Sequence, residues 1–132
     1  MNADYLDSSA IVKLVVREHE SDALAEFLDG KPVLVSSALA KTEVLRALLP
    51  LGEEAQRRAE TALEAIELIA ISDDVLDAAG RLPPATLRSL DAIHLATAVL
   101  LGSDLQSLLT YDRRMRATAT AMGMKAASPG AP

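Results

Sequence analysis

The chain carries nineteen Asp and Glu residues, and four of them stand in apolar surroundings where a charge is expensive. Asp7 lies within Tyr-Leu-Asp-Ser-Ser-Ala-Ile-Val, and Glu43 within Ala-Leu-Ala-Lys-Thr-Glu-Val-Leu. Asp91 lies within Leu-Arg-Ser-Leu-Asp-Ala-Ile-His-Leu-Ala, and Asp112 closes Leu-Leu-Thr-Tyr-Asp. The i,i+4 spacing of Glu43 with Leu39 and Ala47, beside Ala40, turns its carboxylate toward the core of its helix. An inward carboxylate is tolerated when it is paired, protonated or bound to a cation. Taken one at a time, each acid could equally be a helix cap or an ion-pair partner. Four oxygen donors, with no Cys and two His in the chain, suit Mg²⁺ or Mn²⁺ rather than zinc. Such a centre does phosphoryl chemistry, with a bound cation polarising a phosphate and activating water.

Residues close to these acids carry two readings each. Ser8 and Thr110 could orient water at a metal site or could simply cap helices. His94 stands three residues after Asp91, so the two could pair on one helix face. Its aliphatic neighbours Ile93 and Leu95 favour a hydrogen-bonded core histidine instead. The remaining acids need no special account. Glu53, Glu54, Glu60 and Glu64 share a helix with Arg57 and Arg58 and read as a solvated face, while Asp73 and Asp74 sit in a helix first turn.

Apolar strands alternating with amphipathic helices must position these groups. Tyr5-Leu6 reads as a strand ending at Asp7, followed by a helix over Ala10–Leu14 capped by Ser8 or Ser9. A helix from Ser21 to Asp29 stops at Gly30, and a second strand covers Val33–Val35. Ser36 or Ser37 then caps a helix to Leu49, and a charged helix runs from Glu53 to Ala65. Leu68–Ile71 reads as a third strand and Ser72 opens a short helix to Ala79. After Pro83-Pro84 come a long apolar helix over Ser89–Leu101, a fourth strand over Leu105–Thr110, a basic helix over Arg113–Met122 and a weak last strand at Met124–Ala127. This alternation predicts an α/β fold, a parallel sheet covered by helices on both faces. Asp7 and Asp112 both fall at carboxyl ends of strands, where open α/β sheets bind ligands. Asp4 reads as an exposed strand start.

Composition narrows the partners. Thirteen Lys and Arg against nineteen Asp and Glu give a net charge of −6, which excludes a generally basic nucleic-acid clamp. Tyr5, Phe27 and Tyr111 are the only aromatic residues, too few for a base-stacking platform. Lys13, Arg17, Lys41, Arg46, Arg113, Arg114 and Arg116 lie on elements opening near the expected crevice, where some could hold phosphates. With no apolar stretch long enough to span a bilayer and no evident signal peptide, no membrane association is expected. The chain is expected to be cytoplasmic. One domain over residues 1–127 and a short flexible tail over 128–132 are expected.

The segments Tyr5-Leu6-Asp7-Ser8-Ser9-Ala10, Leu87 to Ala96 and Leu109-Thr110-Tyr111-Asp112-Arg113-Arg114-Met115 resemble PIN-domain ribonucleases, most closely the VapC toxins of VapBC toxin–antitoxin pairs. The resemblance spans nearly the whole chain, and the Asp91 segment is its most specific part. It implies a three-layer α/β/α fold with strand order 3-2-1-4-5, which sets strand one beside strand four. It places the family's acidic quartet on Asp7, Glu43, Asp91 and Asp112, with Asp7 and Asp91 as principal Mg²⁺ ligands and Mn²⁺ able to substitute. It further implies an endoribonuclease that cuts a structured RNA, a tRNA or rRNA, leaving a 5′-phosphate and a 3′-hydroxyl. A cognate VapB-like antitoxin and a homodimer are implied too, and either Leu24, Phe27 and Leu28 or Leu45, Leu48, Leu49 and Leu51 could supply an exposed apolar stripe.

Two other readings compete. A non-catalytic PIN-like module binding RNA or protein would not need all four acids. A receiver-type signalling domain needs a second acid beside the first-strand Asp and a phosphoacceptor Asp after strand three. Here that strand ends in Ile71-Ser72.

Overall fold

The computed structural model describes residues 2–132. Its parallel sheet of five strands has the order β3-β2-β1-β4-β5, formed by β1 (Ala3–Leu6), β2 (Leu34–Ser37), β3 (Glu67–Ile69), β4 (Leu105–Leu109) and β5 (Ala126–Ala127). This is the expected order, and it differs from the 2-1-3-4-5 order of receiver domains. β1 is the central strand, paired in parallel to β2 on one side and β4 on the other. Its register sets Leu6 opposite Leu109, so the chain leaves both strands at the same edge.

Alternation along the strands feeds two apolar layers. Leu6 and Leu109 join Ile11 and Val15 of α1 (Ser8–Val15), Leu24 of α2 (Ser21–Leu28), Val44 and Leu48 of α3 (Leu39–Leu48) and Leu63 of α4 (Glu53–Glu64). On the opposite face Tyr5 and Leu108 join Leu95 of α6 (Ser89–Val99) and Met115 of α7 (Arg113–Ala121). A smaller cluster, with Val75 and Ala79 of α5 (Asp73–Gly80) against Ala92 and Ala96, seats α5 on α6. Burial on both faces explains why the strands read as continuous apolar runs.

Several expectations are corrected. Asp7 caps α1 through Ala10 N–H, displacing Ser8 and Ser9 from that role. Ala38, not Ser36 or Ser37, is the residue preceding α3, although the Ser37 hydroxyl accepts from Leu39 N–H at 3.1 Å. Leu24, Leu28 and Leu48 are core residues and cannot form a surface stripe; Leu49 and Leu51, in a 3-10 turn after α3, stay exposed. The tail is anchored at its start, since Ser128 Oγ donates to the Thr110 carbonyl and Tyr111 Oη donates to the Pro129 carbonyl at 2.7 Å.

Asp4 is not an exposed strand start. It is 2% exposed and accepts from Ser107 Oγ at 2.5 Å across the β1–β4 pair. By alternation it lies on the same face as Leu6, in register with Ser107. A polar group there is sustained by that hydroxyl. Ser107→Ala should therefore cost about 1–3 kcal/mol, the penalty of a buried acceptor left without its donor. Asp4→Val together with Ser107→Ala should recover most of that loss, because both partners are then apolar. Urea midpoints for the single and double variants measure both effects; a double variant no more stable than Ser107→Ala would contradict this account.

Candidate active site

Two chains of hydrogen bonds start at the consecutive residues Asp7 and Ser8, where β1 passes into α1. Asp7 has extended backbone and its N–H donates to the Leu109 carbonyl, so β4 holds the turn in place. Its Oδ1 accepts from Ser9 Oγ at 2.6 Å and from Ala10 N–H at 3.0 Å. Its Oδ2 accepts from Thr110 Oγ1 at 2.5 Å. Thr110 Oγ1 in turn accepts from Asp112 N–H at 3.1 Å, linking the acids that follow β1 and β4 through one hydroxyl. Asp112 caps α7 by accepting from Met115 N–H through Oδ1 at 2.9 Å. Its Oδ2 is met by Arg88 Nη2 at 2.7 Å, and Arg88 Nε reaches Asp91 Oδ2 at 3.1 Å. The first chain thus runs Asp7, Thr110, Asp112, Arg88, Asp91.

The second chain fixes Glu43. Ser8 Oγ and His94 Nε2 both meet its Oε1, the latter at 2.6 Å, and Ser8 Oγ lies 3.2 Å from Nε2. His94 Nδ1 is 2.7 Å from Tyr5 Oη. These partners assign the tautomer: Nε2–H donates to Glu43 and Nδ1 accepts the Tyr5 proton. Burial pushes the Tyr5 phenol far up, so it keeps that proton. His94 is accordingly a buried core histidine with both ring nitrogens in use, and it makes no pair with Asp91. Glu43 lies half-buried beside the buried face of α3 formed by Ala40, Val44 and Leu48, while Ala47 is exposed, so its turn toward the core is only partial.

The two carboxylates behave differently because their surroundings differ. Burial drives the Asp7 carboxyl above its ordinary value, against the hydrogen bonds from Ser9, Thr110 and Ala10 N–H. Burial also raises Glu43, but donors from His94 and Ser8 outweigh it and hold the carboxyl below its ordinary value. Arg88 is raised by its hydrogen bond to Asp91 and by the charges of Asp91 and Asp112.

Among the described residues, no three His, Asp or Glu side chains gather closely enough to hold a metal ion. What occupies the space between Asp91 and Asp112 is the Arg88 guanidinium, a cation standing where two carboxylates call for one. Its side chain is 65% exposed while Asp91 and Asp112 are 17% and 26% exposed, so it can leave more easily than they can. The donor set is carboxylate and hydroxyl oxygen, since His94 is fully engaged elsewhere. That set suits a hard cation such as Mg²⁺ or Mn²⁺.

Arg88, Ser9 and Tyr5 were not among the expected site residues. Arg88 was legible as the residue three before Asp91 on one helix face, the spacing of an ion pair. Tyr5 and Ser9 left no such signal. Of the basic residues near the crevice, Lys13 pairs with Glu18 and Glu20 and Arg17 with Asp22, whereas among the described residues Arg113 and Arg114 have no carboxylate partner.

The PIN domain family model matches residues 5–121. The chain is 56% identical over 129 residues to Ribonuclease VapC46 of Mycobacterium tuberculosis, covering 98% of this chain and 99% of that protein. It is 40% identical over 130 residues to Ribonuclease VapC35 of the same organism, covering 96% of each. Among solved structures, the fold matches Mycobacterium tuberculosis VapC20, a Sarcin-Ricin loop cleaving toxin, with a TM-score of 0.73 at 18% identity, over 96% of this chain and 99% of that one. A chain from a Klebsiella pneumoniae toxin–antitoxin complex matches with a TM-score of 0.67 at 24% identity, over 86% and 90% of the two chains.

The Asp7 geometry has a consequence for stability. Its folded carboxyl binds a proton more readily than the unfolded one, so ionisation at Asp7 costs stability as pH rises above the unfolded value. Asp7→Asn keeps an N-cap acceptor and removes that charge. Thermal melts without metal should show the variant as stable as the parent or more so at pH 7, with the gap closing as pH is lowered toward the ordinary carboxylate range. A large loss of stability at pH 7 would mark the charge itself as structural.

Proposed function

The chain belongs to the PIN-domain family, among its VapC ribonucleases, and on that footing we propose that it is a Mg²⁺-dependent endoribonuclease, the toxin of a toxin–antitoxin pair acting in the cytoplasm. The observation that carries the metal reading is the guanidinium seated between Asp91 and Asp112, next in line from the buried Asp7. Asp7 and Asp91, with Glu43 and Asp112, would hold the cation, and Mn²⁺ would substitute for Mg²⁺. Bound there, the metal supplies a Lewis acid for the phosphate and lowers the pKa of water.

The chain's own residues do the rest. Ser9 and Thr110 orient the Asp7 carboxylate by saturating one side of each oxygen. Ser8 and His94 fix Glu43 through Oε1, leaving Oε2 for a ligand. Arg88 neutralises Asp91 and Asp112, and with a cation held by those carboxylates its exposed guanidinium would be free to meet a phosphate. An acidic protein of this kind binds RNA poorly in general and favours a structured target whose single-stranded bases can be splayed out, such as a tRNA or rRNA loop.

A cognate VapB-like antitoxin would mask the site. A guanidinium already fits between Asp91 and Asp112, so an antitoxin arginine presented there competes for the same oxygens. A homodimer is part of the same reading, and the exposed Leu49 and Leu51 are candidates for its surface.

RNA incubated with the chain should be cut with Mg²⁺ and left intact with chelator, giving 5′-phosphate and 3′-hydroxyl ends. Asp7→Asn and Asp91→Asn should each lower the rate by about 10²–10³-fold, the scale for losing one preorganised electrostatic group. Cleavage that persists in chelator, or in both variants, would remove the metal mechanism. In the second test, replacing the antitoxin's site-facing arginine should weaken inhibition most at low Mg²⁺. Inhibition that is unaffected at every Mg²⁺ concentration would show that the mask acts elsewhere.

A further inference from the structure

We propose that the recess beside the acids, between the loop carrying Pro84 and Leu87 and the outer face of α7, is a subsite for one unstacked RNA base next to the scissile phosphate. The proposal rests on the endoribonuclease reading and names where that substrate is held. The recess has a volume of about 290 Å³, at the lower edge of the ~300–1,000 Å³ range of small-molecule sites, which suits a single base rather than a pair. Pro84, Leu87 and Ala117 give it apolar walls, and Arg88, Arg114 and Thr118 give it polar edges. Leu87 N–H donates to the Pro84 carbonyl at 2.9 Å, so that wall is a closed turn.

Position ties the recess to the chemistry. Asp91 and Arg88 line it and also belong to the acid chain, so an occupant lies directly beside the carboxylates. On the other side of Arg88 and Arg114 a wider cavity of about 560 Å³ is lined by Tyr111, Asp112 and Arg113. The two cavities share their arginines. A strand laid across them meets apolar walls suited to a base in one, and guanidinium groups suited to phosphates in both. In a chain of net charge −6, Arg113 and Arg114 are cations with no carboxylate partner among the described residues, and they sit at this edge.

The recess has no aromatic side chain, so a base is held by apolar contact and by its edge rather than by stacking. The Thr118 hydroxyl makes no hydrogen bond among the described residues, which leaves it available to that edge. Because an unpaired hydroxyl rewards one donor–acceptor pattern over another, this subsite discriminates between bases at one position of the target.

Two experiments on the full chain decide the matter. In the first, Ala117→Phe fills the recess from an exposed helix position. With the parent cutting RNA in Mg²⁺, the variant should lose roughly tenfold in rate and alter the base found beside the cut when RNA ends are sequenced, with its melting temperature unchanged. A variant that cuts at the same rate and position overturns the subsite and leaves the nuclease reading in place. If the parent itself cuts no RNA, that reading fails, and the second experiment judges the recess alone. Amide NMR with each of the four nucleoside 5′-monophosphates should shift Leu87, Ala117 and Thr118 by amounts that differ between bases. Shifts reproduced by inorganic phosphate, or no shifts there, would overturn the proposal.

Discussion

A carboxylate buried at the end of the central strand is the constraint around which this site is organised. Asp7 follows β1, which has neighbours on both sides, so the residue is left only 4% exposed. An isolated charge in that position is costly, and the chain answers with donors from three directions: Ser9, Ala10 N–H and Thr110. Each donor is itself positioned by the fold. Ala10 is there because α1 starts at Ser8, and Thr110 because β4 runs parallel to β1 in a register that sets Leu109 beside Leu6. The same group therefore starts a helix and joins two strands, and through Thr110 it is linked to Asp112.

The other buried acid, Asp4, has a different setting. Asp4, three residues earlier and within β1, accepts from the Ser107 hydroxyl, and among the described residues no other acid is joined to it. Asp7 opens onto a linked series of acids and a cation. Glu43, on a different layer, is brought in by Ser8 and by His94, whose far nitrogen is tied to Tyr5 inside the second core. The site therefore draws on both faces of the sheet. That arrangement makes it rigid on the side of Glu43 and Asp7, and leaves its adjustable part, the exposed Arg88, at the solvent side.

The charge pattern fits this division. A net charge of −6 would repel RNA from most of the surface, and some exposed cations are tied to neighbouring acids, as in Arg57 with Glu54 or Arg81 with Asp77. Free guanidinium groups concentrate at the start of α7, beside Asp112.

The alternation of apolar strands with amphipathic helices was readable in the residues alone, and so was the isolation of Asp7, Glu43, Asp91 and Asp112 within apolar stretches. Both are local properties: a strand or helix face is fixed by spacing along the chain, and an acid out of place is visible against its neighbours. The strand order 3-2-1-4-5 came from family resemblance, because alternation allows several parallel orders. Local reading failed where a side chain's partner lies far away in the chain. Asp4 looked like a strand start because its partner Ser107 is 103 residues on. The cap of the first helix looked equally open to Asp7, Ser8 and Ser9, because adjacent polar residues at a strand end compete for it and only the backbone decides which carries it. The apolar stripe of Leu24 and Leu28 was indistinguishable from core, since a hydrophobic face does not say what covers it. Tertiary structure alone decided that Arg88 spans Asp91 and Asp112, that His94 serves Glu43, and that Thr110 couples Asp7 to Asp112. Those pairings depend on which strands lie side by side and in what register, and no single stretch of sequence carries that information.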